Sequence, residues 1–530
     1  MALQVGREQA ASIFNDVIGP VMRGPSSSHV AGAARIGTFV RQAARGELRR
    51  VLVDFDVNGS LAESHEGHGT DMGFACGLLG IPLTDGRVDE YRRLIKESGI
   101  ELQYRILDYG AEHPNFYRIL AETKTGESIS LDAVSTGGGM IELVGLEGCS
   151  VSLLGDAYEN CFLLPQGAPY PSRESFGSRY PAIRDLSVSE GEGYFLLDLK
   201  TEGPLTDEER AELCHSLSPL RCFYFEPVLP TRALDGRTLP FRTASELLTY
   251  NQGKNLELWE LAALYESLRG NTTKEQVFAQ MEQLADLMSQ AVENGLSGTV
   301  YEDRILHAQA NRLKADEAGS RLVPGGVMNQ VIRAITAIME TKSSMGVIVA
   351  APTAGSCGCL PGTLLGLSKA LDLPRKETVK GLLAAGLIGV FFAEGATFAA
   401  EVGGCQMECG AGSGMAAAGV AQMMGGTAEE CLNAASVALQ GLTGLACDPV
   451  ANRVEVPCLN KNIVGGMNAL SSTNMVLSGF DPVIPLDETI AAMYDIGQKL
   501  PLELRCTFGG LGKTKTSLAL RRSLEQRQKK

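Results

Sequence analysis

Eight of the thirteen cysteines lie between Cys357 and Cys506, and five of these adjoin glycine or proline. Such thiols sit at chain breaks between apolar segments, so the second half must fold as packed elements joined by tight, cysteine-bearing loops. Histidine is distributed the other way: four of six (His29, His65, His68 and His113) fall within the first 113 residues. Thiol ligands therefore come from one end of the chain and candidate acid–base groups from the other. At the N-terminus, Arg7 and Glu8 occupy the place an apolar signal core would need. The thiols are accordingly expected to be reduced and the chain cytoplasmic, without a disulfide framework.

A chain of 530 residues is expected to form two to four domains. A formal charge of −15 argues against broad contact with nucleic acid or an anionic membrane. Basic residues form only adjacent pairs, and Lys529-Lys530 reads as a solvated tail. Leu382 to Ala400 is apolar or small except Glu394 and Thr397, and approaches a bilayer-spanning length. Its glutamate and its many glycines and alanines suit a helix enclosed by protein instead.

Residues 1–150 read as an α/β domain. A helix is expected from Gln9 to Val21, then a break at Gly24-Pro25-Ser26-Ser27-Ser28-His29 and a second helix through Arg45. Arg50 to Val57 alternates like a half-buried strand, and Thr70 to Leu79 reads as helix. Residues 151–235 mix strand-like stretches with a helix-like Thr206 to Leu217, as a small α+β module or an insertion. From 236 to 530 the chain is mostly α-helical, with apolar residues three and four apart in Ala244–Tyr265, Thr273–Asn294 and Gly326–Lys342.

The loops around Cys405, Cys447 and Cys458 form no C-x-x-C pair, and no histidine completes a zinc site. Cys357 with Cys359, and Cys405 with Cys409, do not make a ferredoxin run. Spacing alone leaves them readable as small buried hydrophobes or as three ligands of a cluster with one open iron. Gly24 to His29 would make a carboxylate cradle, with hydroxyls and free N–H groups at a helix start, or an ordinary N-cap. His68, between Gly67 and Gly69, reads as facing a cleft; His113 is held extended by Pro114; His65 reads as surface. Thr353 to Gly358 could bring backbone donors near a ligand or simply pack helices. Asn460 and Asn462, beside Cys458, are placed to hydrogen-bond around a cluster.

Longer motifs favour one of these readings. The N-terminal part resembles the β unit of the iron–sulfur L-serine dehydratases through Gly24 to His29, Gly59-Ser60-Leu61, Gly67 to Asp71, His113-Pro114-Asn115 and Ser135 to Gly139. The C-terminal part resembles their α unit through Ala351 to Ser356, Glu401 to Gln406, Cys447 to Val450 and Val456-Pro457-Cys458. The resemblance implies a [4Fe–4S] cluster on Cys405, Cys447 and Cys458. It further implies Ser26, Ser27, Ser28, His29, His68 and His113 as catalytic candidates, and Thr353, Gly355, Ser356, Gly137 and Gly138 around a small amino-acid substrate. The implied reaction converts L-serine to pyruvate and ammonia. Some relatives carry a cysteine tail that this chain lacks, leaving Cys506 as the last thiol. L-Cysteine or L-threonine as substrate, and a non-catalytic amino-acid or oxygen sensor, are the alternatives. Pyridoxal phosphate is not expected, since neither Lys342 nor Lys461 has a Schiff-base setting. A homodimer is the expected assembly.

Overall fold

The computed structural model describes residues 10–172, 176, 177, 180, 183–231, 239–313 and 321–528. The readings made on residues 1–9 and on Lys529-Lys530 lie outside them, as does the boundary at 235.

A six-stranded sheet organises the first part, in the spatial order Glu101–Leu107, Leu48–Asp56, Phe116–Thr123, Ser128–Gly137, Met140–Leu146, Cys149–Leu153. Only the first pair is parallel. Alternation explains its one-sided burial: Val51, Val53, Ile119, Ala121, Ile129 and Leu131 face two helices, Gly32–Ala43 and Thr70–Leu79. These helices touch backbone to backbone. A Cβ on Gly73 would lie 2.1 Å from the Val30 carbonyl oxygen, and one on Gly77 would lie 2.1 Å from that of Ala34. Glycine four residues apart is what this approach requires. Gly77→Ala is therefore expected to force the helices apart, costing about 1–3 kcal/mol. A melting temperature within a degree of the parent would overturn that packing argument.

The middle stretch forms a four-stranded antiparallel sheet in the order Arg221–Phe225, Tyr158–Pro165, Tyr194–Thr201, Ile183–Glu190. This is the strand order of a split βαβ, ferredoxin-like unit. The Asp207–Leu217 helix starts with a Thr206–Glu209 capping box. One sheet face meets the first part through edge-to-face Phe39 and Phe225 rings 5.2 Å apart.

The remainder is helical. At its centre Cys409–Met423 is buried along its whole length. Its four glycines, five alanines and one serine let the helices Arg375–Gly395, Cys359–Leu371, Ala428–Gln440 and Cys458–Leu477 close around it. The Arg375–Gly395 helix is the one described helix long and apolar enough to cross a membrane, and 78% of its apolar window is enclosed by protein.

Two expected helices differ. Ala244–Tyr265 is split into Ala244–Asn251 and Leu258–Arg269. The Asn251 side chain bonds both the N–H and the carbonyl of Leu256, closing a turn that competes with the helix. Gln9–Val21 shrinks to one turn, Ile13–Val17, ended by Gly19-Pro20. Val21 and Met22 instead pair antiparallel with Val349 and Ile348, stitching the first part to the helical part.

Candidate active site

The seam between the first part and the helical part gathers the residues that carry chemistry. Ser26 caps the turn Ser27–Ala31, which runs into the Gly32–Ala43 helix. Its hydroxyl lies 3.0 Å from His29 Nδ1, and His29 Nε2 lies 2.8 Å from Ser64 Oγ. Ser27 Oγ accepts from the Ala354 N–H at 3.2 Å, tying this turn to the Thr353 loop across the seam. Ser135 Oγ donates to the Ser28 carbonyl at 2.9 Å. The first N–H groups of such a turn have no partner within the helix and favour an anion.

His68 is not on a cleft wall, as its glycine neighbours suggest, but fully buried. The cause lies across the seam. Asn452 and Arg453 close over the Gly67 backbone, where a Cβ would lie 2.6 Å from the Asn452 carbonyl oxygen. The His68 ring meets His29 edge-on at 4.7 Å, and its Nδ1 lies 3.9 Å from Cys506 Sγ. Nε2 has no partner. His113 instead accepts from the Asn115 N–H at 3.1 Å and supports the turn carrying Asn115. His65 is partly buried against Asp71 at 2.7 Å.

Burial, then the neighbouring charges of His68 and His65, hold the His29 pKa well below its ordinary value. Burial, then the Arg453 and Lys342 charges, bring His68 down to about 3. Both rings are neutral at pH 7. Because the fold disfavours protonation, their contribution to stability is complete above about pH 6.5 and is lost as pH falls toward the folded values, with a limiting slope of about 1.4 kcal/mol per pH unit each. Melting temperature should therefore fall between pH 6.5 and 5. A flat profile in His29→Asn and parent alike would contradict this.

The thiols converge beside these rings. Cys405, Cys409, Cys447 and Cys506 form one buried group. The Gln406 N–H reaches the Leu445 carbonyl at 3.0 Å, the Cys447 N–H that of Leu504 at 2.8 Å, and the Cys506 N–H that of Cys447 at 3.0 Å. Cys458 opens its helix next to them, and Asn462 one turn on donates to its carbonyl at 2.8 Å. Asn462 also donates to Gly355 O and accepts from the Gly358 and Cys359 N–H groups, fixing the Thr353 loop against the thiols. Asn460 is exposed. Hydrogen bonds from Cys409, then from Cys447, hold Cys405 well below the ordinary thiol range, helped by the Lys461 charge. Burial pushes Cys458 up to about 12.

Thr353 and Ser356 are buried and bonded to one another, with Thr353 Oγ1 donating to Glu408 at 2.7 Å. Gly137 and Gly138 serve the seam itself: a Cβ on Gly137 would lie 2.8 Å from the Ala399 nitrogen, and Gly138 faces the Pro352 carbonyl.

Charged side chains missed in the sequence complete the site. Lys342 is 1% exposed and donates to the Val454 carbonyl. Its charge acts on His68, Cys458 and Glu408. Lys461 bonds the Ala446 carbonyl at 2.6 Å and Asp448 at 2.7 Å. Glu401 lies 3.5 Å from His29 Nδ1. Lys342 ends a helix whose apolar face includes it, a signal readable only once that face is known to be internal.

The serine dehydratase beta chain profile matches residues 14–144, and the serine dehydratase alpha chain profile matches residues 253–511. A probable L-serine dehydratase alpha chain of Bacillus subtilis is 37% identical over 285 residues, 54% of this chain and 95% of that one. L-Serine dehydratase TdcG of Escherichia coli is 26% identical over 498 residues, 92% of this chain and 95% of its own. An L-serine dehydratase of Helicobacter pylori is 26% identical over 501 residues, covering 93% and 96%. The chain belongs to the serine dehydratase family of lyases, with beta- and alpha-chain regions fused in one polypeptide.

Proposed function

We propose that the chain dehydrates L-serine to pyruvate and ammonia, with a [4Fe–4S] cluster held by Cys405, Cys447 and Cys458. The observation that carries this reading is the convergence of buried thiols on a neutral, fully buried histidine with a free ring nitrogen. The donor set fits such a group: thiols reach it from three separate segments, and Lys342 and Lys461 offset thiolate charge. Among the described residues, no three His, Cys, Asp or Glu side chains surround one point as ligands of a single ion do. Thiolates of a cluster bind separate irons and need no common centre. When bound, the cluster supplies Lewis acidity toward a substrate oxygen.

The chain's own groups do the rest. The Ser26–Ser28 turn holds the substrate carboxylate on its free N–H groups and hydroxyls. His68 Nε2, neutral and unpartnered, takes the Cα proton. Lys342 and the turn's positive end offset the negative charge that develops as that proton leaves. Asn452, Arg453 and the Thr353 loop exclude water. Loss of hydroxide from Cβ gives an aminoacrylate, which tautomerises and hydrolyses.

Anaerobic purification with iron and sulfide quantitation and a pyruvate assay tests the reading. Bound iron and pyruvate from L-serine are expected, with L-threonine and L-cysteine turned over more slowly. A colourless, iron-free yet active preparation would sink the cluster. Full iron without turnover of any of the three amino acids would favour a sensor.

A further inference from the structure

L-Serine offers three groups that need separate seats: a carboxylate, an ammonium and a hydroxyl. With the carboxylate on the serine turn and the hydroxyl toward the thiols, the ammonium still needs acceptors. Burying it unpaired is strongly unfavourable. We infer that Glu401 is the seat of the substrate's α-ammonium group, an inference that rests on the amino-acid reading of this site.

Glu401 stands on the short Ala400–Gly403 turn just before Cys405, with His29 on one side and the thiol loop on the other. It is 4% exposed. Its Oε1 faces His29, while Oε2 is buried and has no partner. Asn115 reaches it from the opposite side of the seam. His29 is the one ion-pair neighbour recorded for it among the described residues, and that ring is neutral, with Nδ1 already 3.0 Å from Ser26 Oγ. Each neighbouring carboxylate is engaged through one oxygen. Glu408 accepts the Thr353 hydroxyl, and Glu455 accepts the Ile305 and Leu306 N–H groups. Glu401 brings a buried carboxylate oxygen without a hydrogen-bond partner to His29 and the Cys405 loop, where the cradle and the thiols meet. An ammonium there gives the one open oxygen of this buried carboxylate an ionic partner, and it orients Cα between cradle and thiols.

The test uses two ligands that cannot lose a β-hydroxyl. L-Alanine keeps carboxylate and ammonium; L-lactate puts a hydroxyl in place of the ammonium. Each is measured anaerobically by calorimetry and as a competitive inhibitor. The parent should bind L-alanine about 30-fold more tightly than L-lactate. Glu401→Gln should remove most of that preference, leaving lactate affinity, iron and sulfide within about twofold of the parent. Unchanged alanine affinity, or equal losses for both ligands, overturns the assignment. So does a fall in kcat with alanine affinity intact, which would assign Glu401 to proton transfer. If the variant does not fold, the parent decides: lactate bound as tightly as alanine overturns the seat. A parent that prefers alanine but forms no pyruvate from serine refutes the proposed reaction and leaves the seat standing.

Discussion

Serine at Cys405, Cys447 or Cys458, introduced one at a time, is expected to abolish bound iron and pyruvate formation together. The hydroxyl is isosteric with the thiol, so the surrounding loops have no steric reason to change. What changes is the donor: an alcohol remains protonated where a thiol becomes thiolate, and the thiolate is the metal ligand. Removing a group that merely supports a ligand typically costs 10- to 100-fold in affinity or activity, so loss of a ligand itself should exceed about 100-fold. The control is close by. Cys409 is part of the same buried group and hydrogen-bonds Cys405. Cys409→Ala should nevertheless keep its iron, paying only the cavity left by one sulfur, about 1 kcal/mol. Iron loss from Cys409→Ala as complete as from the other three would show that the ligand set is wrongly drawn.

His68→Gln is expected to lower kcat by about 10²- to 10⁴-fold, the usual contribution of a positioned base. Iron content and L-alanine affinity should be unaltered. The amide fills the imidazole's space and offers an oxygen or nitrogen near Nε2, but it cannot accept a proton at neutral pH. His68 is fully buried and its Nε2 is unpartnered, so the loss should appear in kcat and not in KM. A variant that turns over at the parent rate would move the base to the serine turn. His113→Gln should leave kcat nearly unchanged, because that ring serves the Asn115 turn.

The sequence was most legible where a single period or motif decides local structure. Alternation in the stretch after Arg50 places a strand, observed as Leu48–Asp56, and apolar spacing places Gly326–Ser343 within a residue of its observed end. It was least legible where a distant segment decides. His68 between two glycines looks open until Asn452 and Arg453 close over it from nearly 400 positions away. Lys342 reads as an ordinary helix-end lysine until Val454 and the thiol loops enclose it. Cys506 has no local signal, yet the Cys447 backbone draws it into the thiol group. Residues 9–21 fail as a helix because Val21 and Met22 are claimed by a strand more than 300 residues on.

That two-residue strand pair, and the seam it closes, also set the order of events at birth. The serine turn is made about 480 residues before Cys506. At 5–20 residues per second, that gap lasts roughly 25–100 s. During it His29 and His68 have each other and Ser64 but not the Asn452–Arg453 cover or the Cys506 thiol, and Cys405, Cys447 and Cys458 emerge one after another. On the proposed reading the three thiols are complete only once Cys458 has been added, and fusion into one polypeptide places each set of thiols beside its own histidines.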